Sequence, residues 1–432
     1  MKKISVLLFI SFGGILSAQE NHISYGSLSD FVLDSTEVYS KIDSIITNGI
    51  KNEAFPSAQV LVAKNSRIIF HEAYGFHTYD SIQPAKITDL YDLASVTKIL
   101  GPLPAIMKLI DEGKLDLDKP FSTYWKPWKR RKDKENITLR EILAHQAGLQ
   151  PYIVFLSKVI KKNGHLKNRF VKTDKKQRFE NQAYNSLYVK NRFNKKMYRV
   201  INRSKVSSEK KYSYSGLTFL IFPKLIEQLT GEIYETYLND NFYIPIGTET
   251  LGFKPETKNY TNKIVPTEVD TIFRHALTQG WVHDENAALL GGISGNAGLF
   301  GTAIDVAKMM QFYSNFGNYN GHQLISEKTI KEFIKVQYLE NDNRRGLGFD
   351  KPYFNNSELA LVDSYPAPGV SPNSFGHSGF TGTFVWADPE NQLVYIFLSN
   401  RVYPSRDHRN IYKLNIRSAI QEVFYKAMIL SK

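Results

Sequence analysis

A mixed α/β fold of the α+β kind, with one antiparallel sheet built from both chain ends, flanked by helices and interrupted by a mostly helical lobe, is predicted for this 432-residue sequence. Three observations predict it. Paired β-rich segments with turn residues between them stand near both ends, Ala58–Ala63 with Ile68–Glu72 and Thr383–Ala387 with Val394–Ser399. Between them, apolar residues recur at helical spacing. No internal repeat or low-complexity linker divides the chain, which favours a single packed unit of two interleaved lobes.

The elements follow in order. Met1–Ala18 (MKKISVLLFISFGGILSA) runs from two lysines through an apolar core to small residues, the pattern of an export signal cleaved after Ala18. Asp34 and Glu37 cap a helix carrying Val38, Ile42, Ile45, Ile46 and Ile50 on one face, which Phe55-Pro56 ends. After the first strand pair, Ser95 opens a helix that Pro102 and Pro104 interrupt before it reaches Gly113. Thr138 with Glu141 reads as a capping box, Leu217–Leu229 as a helix stopped by Gly231, and Val306–Tyr313 as an amphipathic helix. A last helix presents Ile416, Ala419, Ile420, Val423 and Phe424 on one side. The sheet lobe is expected over about 19–94 and 330–432, and the helical lobe over about 95–329, within one domain spanning 19–432.

Composition narrows the chemistry. The chain has no cysteine, which excludes disulfides, thiolate metal sites and a cysteine nucleophile. Neither a metal nor another cofactor is expected. His283-Asp284 with His275 lacks ligand spacing, and the glycines of LLGGISGNAGLFG match no nucleotide fingerprint and read as a tight loop lining a cleft. The formal charge is +13, and residues 151–211 hold 18 Lys and Arg against three acids. Such a basic insertion is read either as a solvated helical face or as a steering patch for an anionic envelope polymer. Tyr184, Leu187 and Tyr188 fall at helical spacing, so their rings are expected to pack inward, and no nucleic acid is expected as a partner. After the export signal no apolar run is long enough for a transmembrane helix.

The most informative motif is Ser95-Val96-Thr97-Lys98. A hydroxyl and an amine three residues apart on a helix share one face, so the amine can take the hydroxyl proton. The spacing recurs at Ser207/Lys210 and Ser208/Lys211, in the exposed run SSEKKY, where a lysine stays solvated and charged. Only around Ser95 do Leu93, Ala94, Ile99 and Leu100 make an apolar frame that disfavours an ammonium.

With KYSYSGL and GHSGFTGTFVWADPE following in order, the chain resembles the serine β-lactamase and DD-peptidase (penicillin-binding-protein-like) superfamily, in its class C-like and esterase-like branch. LREILAHQAGL, GWVHDENAALLGGISGNAGLFGTA and RRGLGFDKP extend the likeness, which is nearest to the domain found fused to glycoside hydrolases. The resemblance implies a β-lactamase/transpeptidase-like fold, Ser95 as nucleophile, Lys98 as its basic partner and Tyr212 as the relay tyrosine, with Tyr214 as a less favoured alternative register. It also implies that His377-Ser378-Gly379 replaces the family's K-T-G, and that the N–H groups of Ser95 and Phe380 form the oxyanion hole. In the Tyr212 register, Tyr214 stands where the family carries asparagine or aspartate beside the substrate, a departure that argues against efficient β-lactam hydrolysis.

The function expected is an exported, periplasmic or secreted serine hydrolase working through an acyl-enzyme on a small-molecule or peptide substrate. Short esters, D-amino-acid peptides of cell-wall origin and β-lactams are the candidate substrates, in that order. The alternative is a catalytically impaired protein of the same fold that binds penicillin or wall fragments.

Overall fold

The computed structural model describes residues 22–430, so the export signal expected over 1–18 lies outside the described residues. β1 (Ser24–Tyr25) precedes α1 (Ser35–Lys51), which starts where the Asp34 carboxylate accepts the Glu37 N–H at 3.1 Å. β2 (Ser57–Lys64) and β3 (Arg67–Gly75) form the first hairpin. Past Ser95 come α2 (Thr97–Leu100) and α3 (Pro102–Asp111), separated at Gly101 because Pro102 has no N–H to continue the ladder. α4 (Phe193–Arg203) lies in the basic insertion and α5 (Ala303–Ser314) leads back to the sheet. β4 (Phe375–Ser378), β5 (Phe384–Asp388), β6 (Leu393–Ser399) and α6 (Ile416–Leu430) complete the chain.

The sheet order is β1-β3-β2-β6-β5-β4. It is antiparallel except for the two-residue β1, which runs parallel to β3. Its centre is the β2–β6 pair, with Val62 opposite Tyr395, so the two ends of the chain are joined by one ladder. Both faces are covered, and alternate residues of each strand go to opposite cores. Val60, Val62, Trp386, Tyr395 and Phe397 pack with Ile42 and Ile46 of α1 and Ile420 and Phe424 of α6. Leu61, Val385, Val394, Ile396 and Leu398 join Val96, Leu103 and Ile106 and continue into the helical lobe. The central strands therefore read as nearly unbroken apolar runs.

One expectation about the insertion is corrected. Residues 181–189 form no helix: Asn181–Tyr184 and Leu187–Val189 make a hairpin, extended by Val171–Lys172 into a three-stranded sheet. Asn185-Ser186 supplies the turn, and Tyr184 and Leu187, adjacent across it, are both buried. The aromatic spacing satisfied a hairpin as well as a helix.

Ile396 is fully buried in the central strand between β2 and β5. Ile396→Ala is expected to lower unfolding free energy by about 2–5 kcal/mol, read as a fall in the urea midpoint; a loss near zero would show that the lobes do not share this core.

Candidate active site

Ser95 lies on a tight turn, Ala94–Val96, that passes into α2. The preceding Ala94 has φ +46°, a left-handed conformation that costs a non-glycine residue roughly 1–2 kcal/mol. Asp92 holds it there. One carboxylate oxygen accepts the Ala94 N–H at 2.8 Å, and the other accepts the His283 N–H at 2.7 Å. Burial pushes the Asp92 carboxyl up from its ordinary range, against those two N–H groups. The carbonyls of Asp92 and Leu93 take the hydroxyls of Thr381 and Thr383 at 2.8 and 3.2 Å, binding the turn to the end of β4.

Lys98 is 2% exposed, one turn along from Ser95. Its Nζ donates to Ser95 Oγ at 2.9 Å and to the Asn296 carbonyl at 2.9 Å. Aromatic faces fill the remaining space, with Nζ 5.4 Å from the Tyr214 ring centre and 5.6 Å from that of Phe219. The tyrosine ring packed on Lys98 is thus that of Tyr214 and not of Tyr212. Tyr212 is 43% exposed at the mouth of the cleft, with no hydrogen bond to Ser95 or Lys98 and no ring contact with Lys98 among the described residues. The reason is the path of residues 212–216, an irregular segment fastened by Ser213 N–H to the His145 carbonyl at 2.9 Å and Ser215 N–H to His145 Nδ1 at 3.2 Å. Counting from Tyr214, the second residue on is Gly216, where a Cβ would stand 3.9 Å from Lys98 Cε. The site therefore lacks a side chain at that place, and Tyr214 does not stand there.

The Tyr214 hydroxyl is buried without a hydrogen-bond partner among the described residues, as are Nε2 of His145 and Nε2 of His377. The His145 ring lies 4.6 Å from that of Tyr214, and the His377 ring 5.9 Å from it. Burial, followed by the charges of Arg345 and Lys98, pulls the His377 imidazole down to about 3. Burial likewise holds His145 well below its ordinary value, with Arg345, His377 and Lys98 adding to the effect. Both rings are neutral at physiological pH, and their partners set the tautomers. His377 Nδ1 faces the Ser378 carbonyl at 2.7 Å and must carry the proton, leaving a lone pair on Nε2. His145 Nδ1 accepts from Ser215 N–H, which puts the proton on Nε2.

The third segment ends β4, where Ser378 pairs with Phe384. Gly379 N–H donates to the Thr383 carbonyl at 2.7 Å, and a Cβ on Gly379 would sit 2.0 Å from Thr383 Oγ1 and 2.7 Å from the Leu93 carbonyl, so only glycine fits. Phe380 is half exposed and stacks on His283 at 5.7 Å, while its carbonyl accepts from Arg401 Nε at 2.7 Å. Neither the Ser95 nor the Phe380 N–H makes a hydrogen bond among the described residues.

Two cavities meet at Ser95. One, of about 490 Å³, has apolar walls from Tyr152, Val154, Ile272 and Phe380 and carboxylates from Asp284 and Glu285. The other, of about 310 Å³, is lined by Tyr212, Tyr214, Arg345 and His377. Behind it, Arg344 and Arg345 approach one Asp350 oxygen at 2.6 and 3.3 Å, and they hold that carboxyl far below its ordinary range despite its burial. Two guanidiniums against one carboxylate leave this side cationic. Among the described residues no group of His, Asp and Glu is arranged to hold a metal ion.

Asp92, His145, Asn296 and Arg345 were given no role from the sequence. Three of them sit in stretches that carried the resemblance, but His145 and Asn296 act on partners far along the chain, Ser215 at a separation of 70 and Lys98 at 198, and only Arg345 has its ion-pair partner, Asp350, close by in sequence.

Residues 42–418 match the family described as Beta-lactamase. The chain is 29% identical over 373 residues to a protein of Escherichia coli (strain K12) named "Putative D-alanyl-D-alanine carboxypeptidase", covering 80% of this chain and 79% of that one. Among solved structures it resembles EstCE1, described as a hydrolase with promiscuous acyltransferase activity, with TM-score 0.63, 18% identity and coverage of 89% and 98%. It also resembles a penicillin-binding protein homolog from Caulobacter crescentus, with TM-score 0.59, 16% identity and coverage of 89% and 97%. The fold, the turn that carries Ser95 and Lys98, and a family match over most of the chain lead to one conclusion: this protein belongs to the beta-lactamase family of serine hydrolases.

Proposed function

We propose that the protein is a carboxypeptidase-type hydrolase that removes a C-terminal D-amino acid through an acyl-enzyme on Ser95. The observation that carries the chemistry is the 2.9 Å contact from Lys98 Nζ to Ser95 Oγ inside a buried pocket. Ser95 Oγ attacks the carbonyl carbon while its proton passes to Lys98, which enters this step as the neutral amine because an ammonium has no lone pair to receive it. The oxyanion that forms is met by the free N–H groups of Ser95 and Phe380. The C–N bond then breaks as the leaving nitrogen takes the proton from Lys98; the Tyr214 ring lies 5.4 Å from Lys98 Nζ, and its hydroxyl, which has no partner among the described residues, joins the relay when substrate fills the cleft. Water attacks the ester by the reverse proton path and frees Ser95.

Charge supports the choice of leaving group. The Arg344/Arg345 side of Ser95 has one more cation than anion, which suits a substrate carboxylate, and the relatives named D-alanyl-D-alanine carboxypeptidases fit the same class. A second reading, as an ester hydrolase, is favoured by two features. His377 is neutral where the resemblance would place a fixed cation, and Gly216 offers no side chain to hold a substrate amide.

Three outcomes test this. A fluorophosphonate should label Ser95, seen by peptide mass spectrometry, and Ser95→Ala should abolish turnover. Tyr214→Phe should lower kcat by about 10²–10⁴ while Tyr212→Phe stays near wild type; the reverse order would restore the Tyr212 register. On peptides ending in D-Ala-D-Ala, the free acid should exceed the C-terminal amide in kcat/KM by at least about tenfold, the scale of one charge-assisted contact, and equal rates with active short esters would select the second reading.

The neutral histidine also sets a pH dependence of stability. Below pH 6.5 the unfolded chain binds a proton that His377 refuses in the fold until about pH 3, so stability falls with decreasing pH across that window. The slope is up to about 1.4 kcal/mol per pH unit for each such group. His377→Gln should flatten the fall in urea midpoint between neutral and mildly acid pH, and an unchanged slope would show the ring to be charged in the fold.

A further inference from the structure

The basic insertion builds a second site that shares no lining residue with either cavity at Ser95. α4 has the sequence FNKKMYRVINR, with no acidic residue. Lys195, Arg199 and Arg203 are exposed at four-residue intervals and so form one stripe. Like charges at this spacing weaken a helix, and cations in its first turn oppose the helix dipole. A helix face that serves only for solubility intersperses acids, and this one does not.

A second basic segment is fastened against that stripe. Residues 126–134, KPWKRRKDK, hold six cations and one acid. Asn202 of α4 accepts the indole N–H groups of Trp125 at 2.8 Å and Trp128 at 3.0 Å, and Lys134 donates to the Ser204 carbonyl. Asp133 is matched to Arg131 at 3.5 Å and Lys134 at 3.2 Å, which leaves Lys195, Arg199 and Arg203 without an ion-pair partner among the described residues. Between the two segments runs a groove of about 500 Å³ lined by Trp125, Arg131, Lys195, Tyr198, Arg199 and Arg203. On the neighbouring face, burial together with Arg169, Lys158 and Lys167 lowers the Lys196 ammonium, a sign of cations crowded without counter-charge.

We propose that this groove binds an anionic polysaccharide chain, whose acid groups supply the missing counter-charges along Lys195, Arg199 and Arg203. Part-buried hydrogen bonds between segments 77 and 74 positions apart fix the groove, which separates it from a chance run of surface lysines. Its concavity suits a strand rather than a flat anionic membrane. A nucleic acid would look for open ring faces on which to stack bases. Here Trp125 is 5% exposed and packs edge to face with Tyr198 at 5.8 Å and 81°.

The test uses the full chain with heparin, polygalacturonate, oligothymidylate and neutral dextran, titrated at low and at physiological ionic strength. Both acidic glycans should bind, more weakly as salt rises, and dextran should not. The triple variant K195Q/R199Q/R203Q should lose at least about tenfold in affinity for the glycans and show a shallower salt dependence. K161Q/K162Q/K175Q, which removes equal charge from exposed positions elsewhere in the insertion, should lose less than about threefold. Hydrolysis of a small ester should be the same in all three proteins. No glycan binding, equal losses in the two variants, or binding of oligothymidylate alone would each overturn the proposal.

Discussion

The buried carboxylate of Asp92 is the junction on which the cleft depends. Its two oxygens and its own carbonyl engage three separate segments: the Ala94–Ser95 turn, the loop at His283, and Thr381 beyond β4. The Thr383 hydroxyl on the Leu93 carbonyl and the pairing of Asp92 with Phe300 reinforce the same junction. Ala94 in particular occupies a left-handed conformation that the carboxylate bond stabilises. The consequence is a serine whose N–H, like that of Phe380, makes no hydrogen bond among the described residues.

Around that junction the polar groups are sorted by charge. Lys98 lies between two oxygen acceptors and two aromatic faces. The neighbouring imidazoles of His145 and His377 are kept neutral by burial and by Arg345, so they add hydrogen-bonding capacity without adding positive charge near Lys98. Both cavities carry both signs: Asp284, Glu285 and Arg406 line the apolar one, and Arg345 and Asp350 line the other, with Arg344 adding a second cation behind it.

Much of this was legible in the sequence, for identifiable reasons. Ser95 with Lys98 is a local relationship, fixed by helical geometry once the flanking residues are apolar. The sheet of both ends followed from β-rich pairs with evident turns, and Asp34 and Thr138 are caps whose partners lie three residues away. The choice between Tyr212 and Tyr214 was not local. In an extended segment residues two apart face the same way, so parity could not decide, and the distant His145 did. The insertion was misread because Tyr184, Leu187 and Tyr188 satisfy two periodicities, and only the turn at Asn185-Ser186 distinguishes them. Asp92 and Asn296 gave no signal, since a buried acid or amide has meaning only with its partners.

The β2–β6 ladder also governs when the protein can exist. Ser57 hydrogen-bonds to Asn400 across 343 positions, so the central strand has no neighbour on one side until nearly the whole polypeptide has emerged from the ribosome. Assembly of so non-local a sheet is slow, because distant parts of the chain must find each other before any ladder bond repays the lost freedom. Until that ladder forms, Ser95 is without the turn after β4 that bears Phe380, so the hairpin that closes the sheet also completes the cleft.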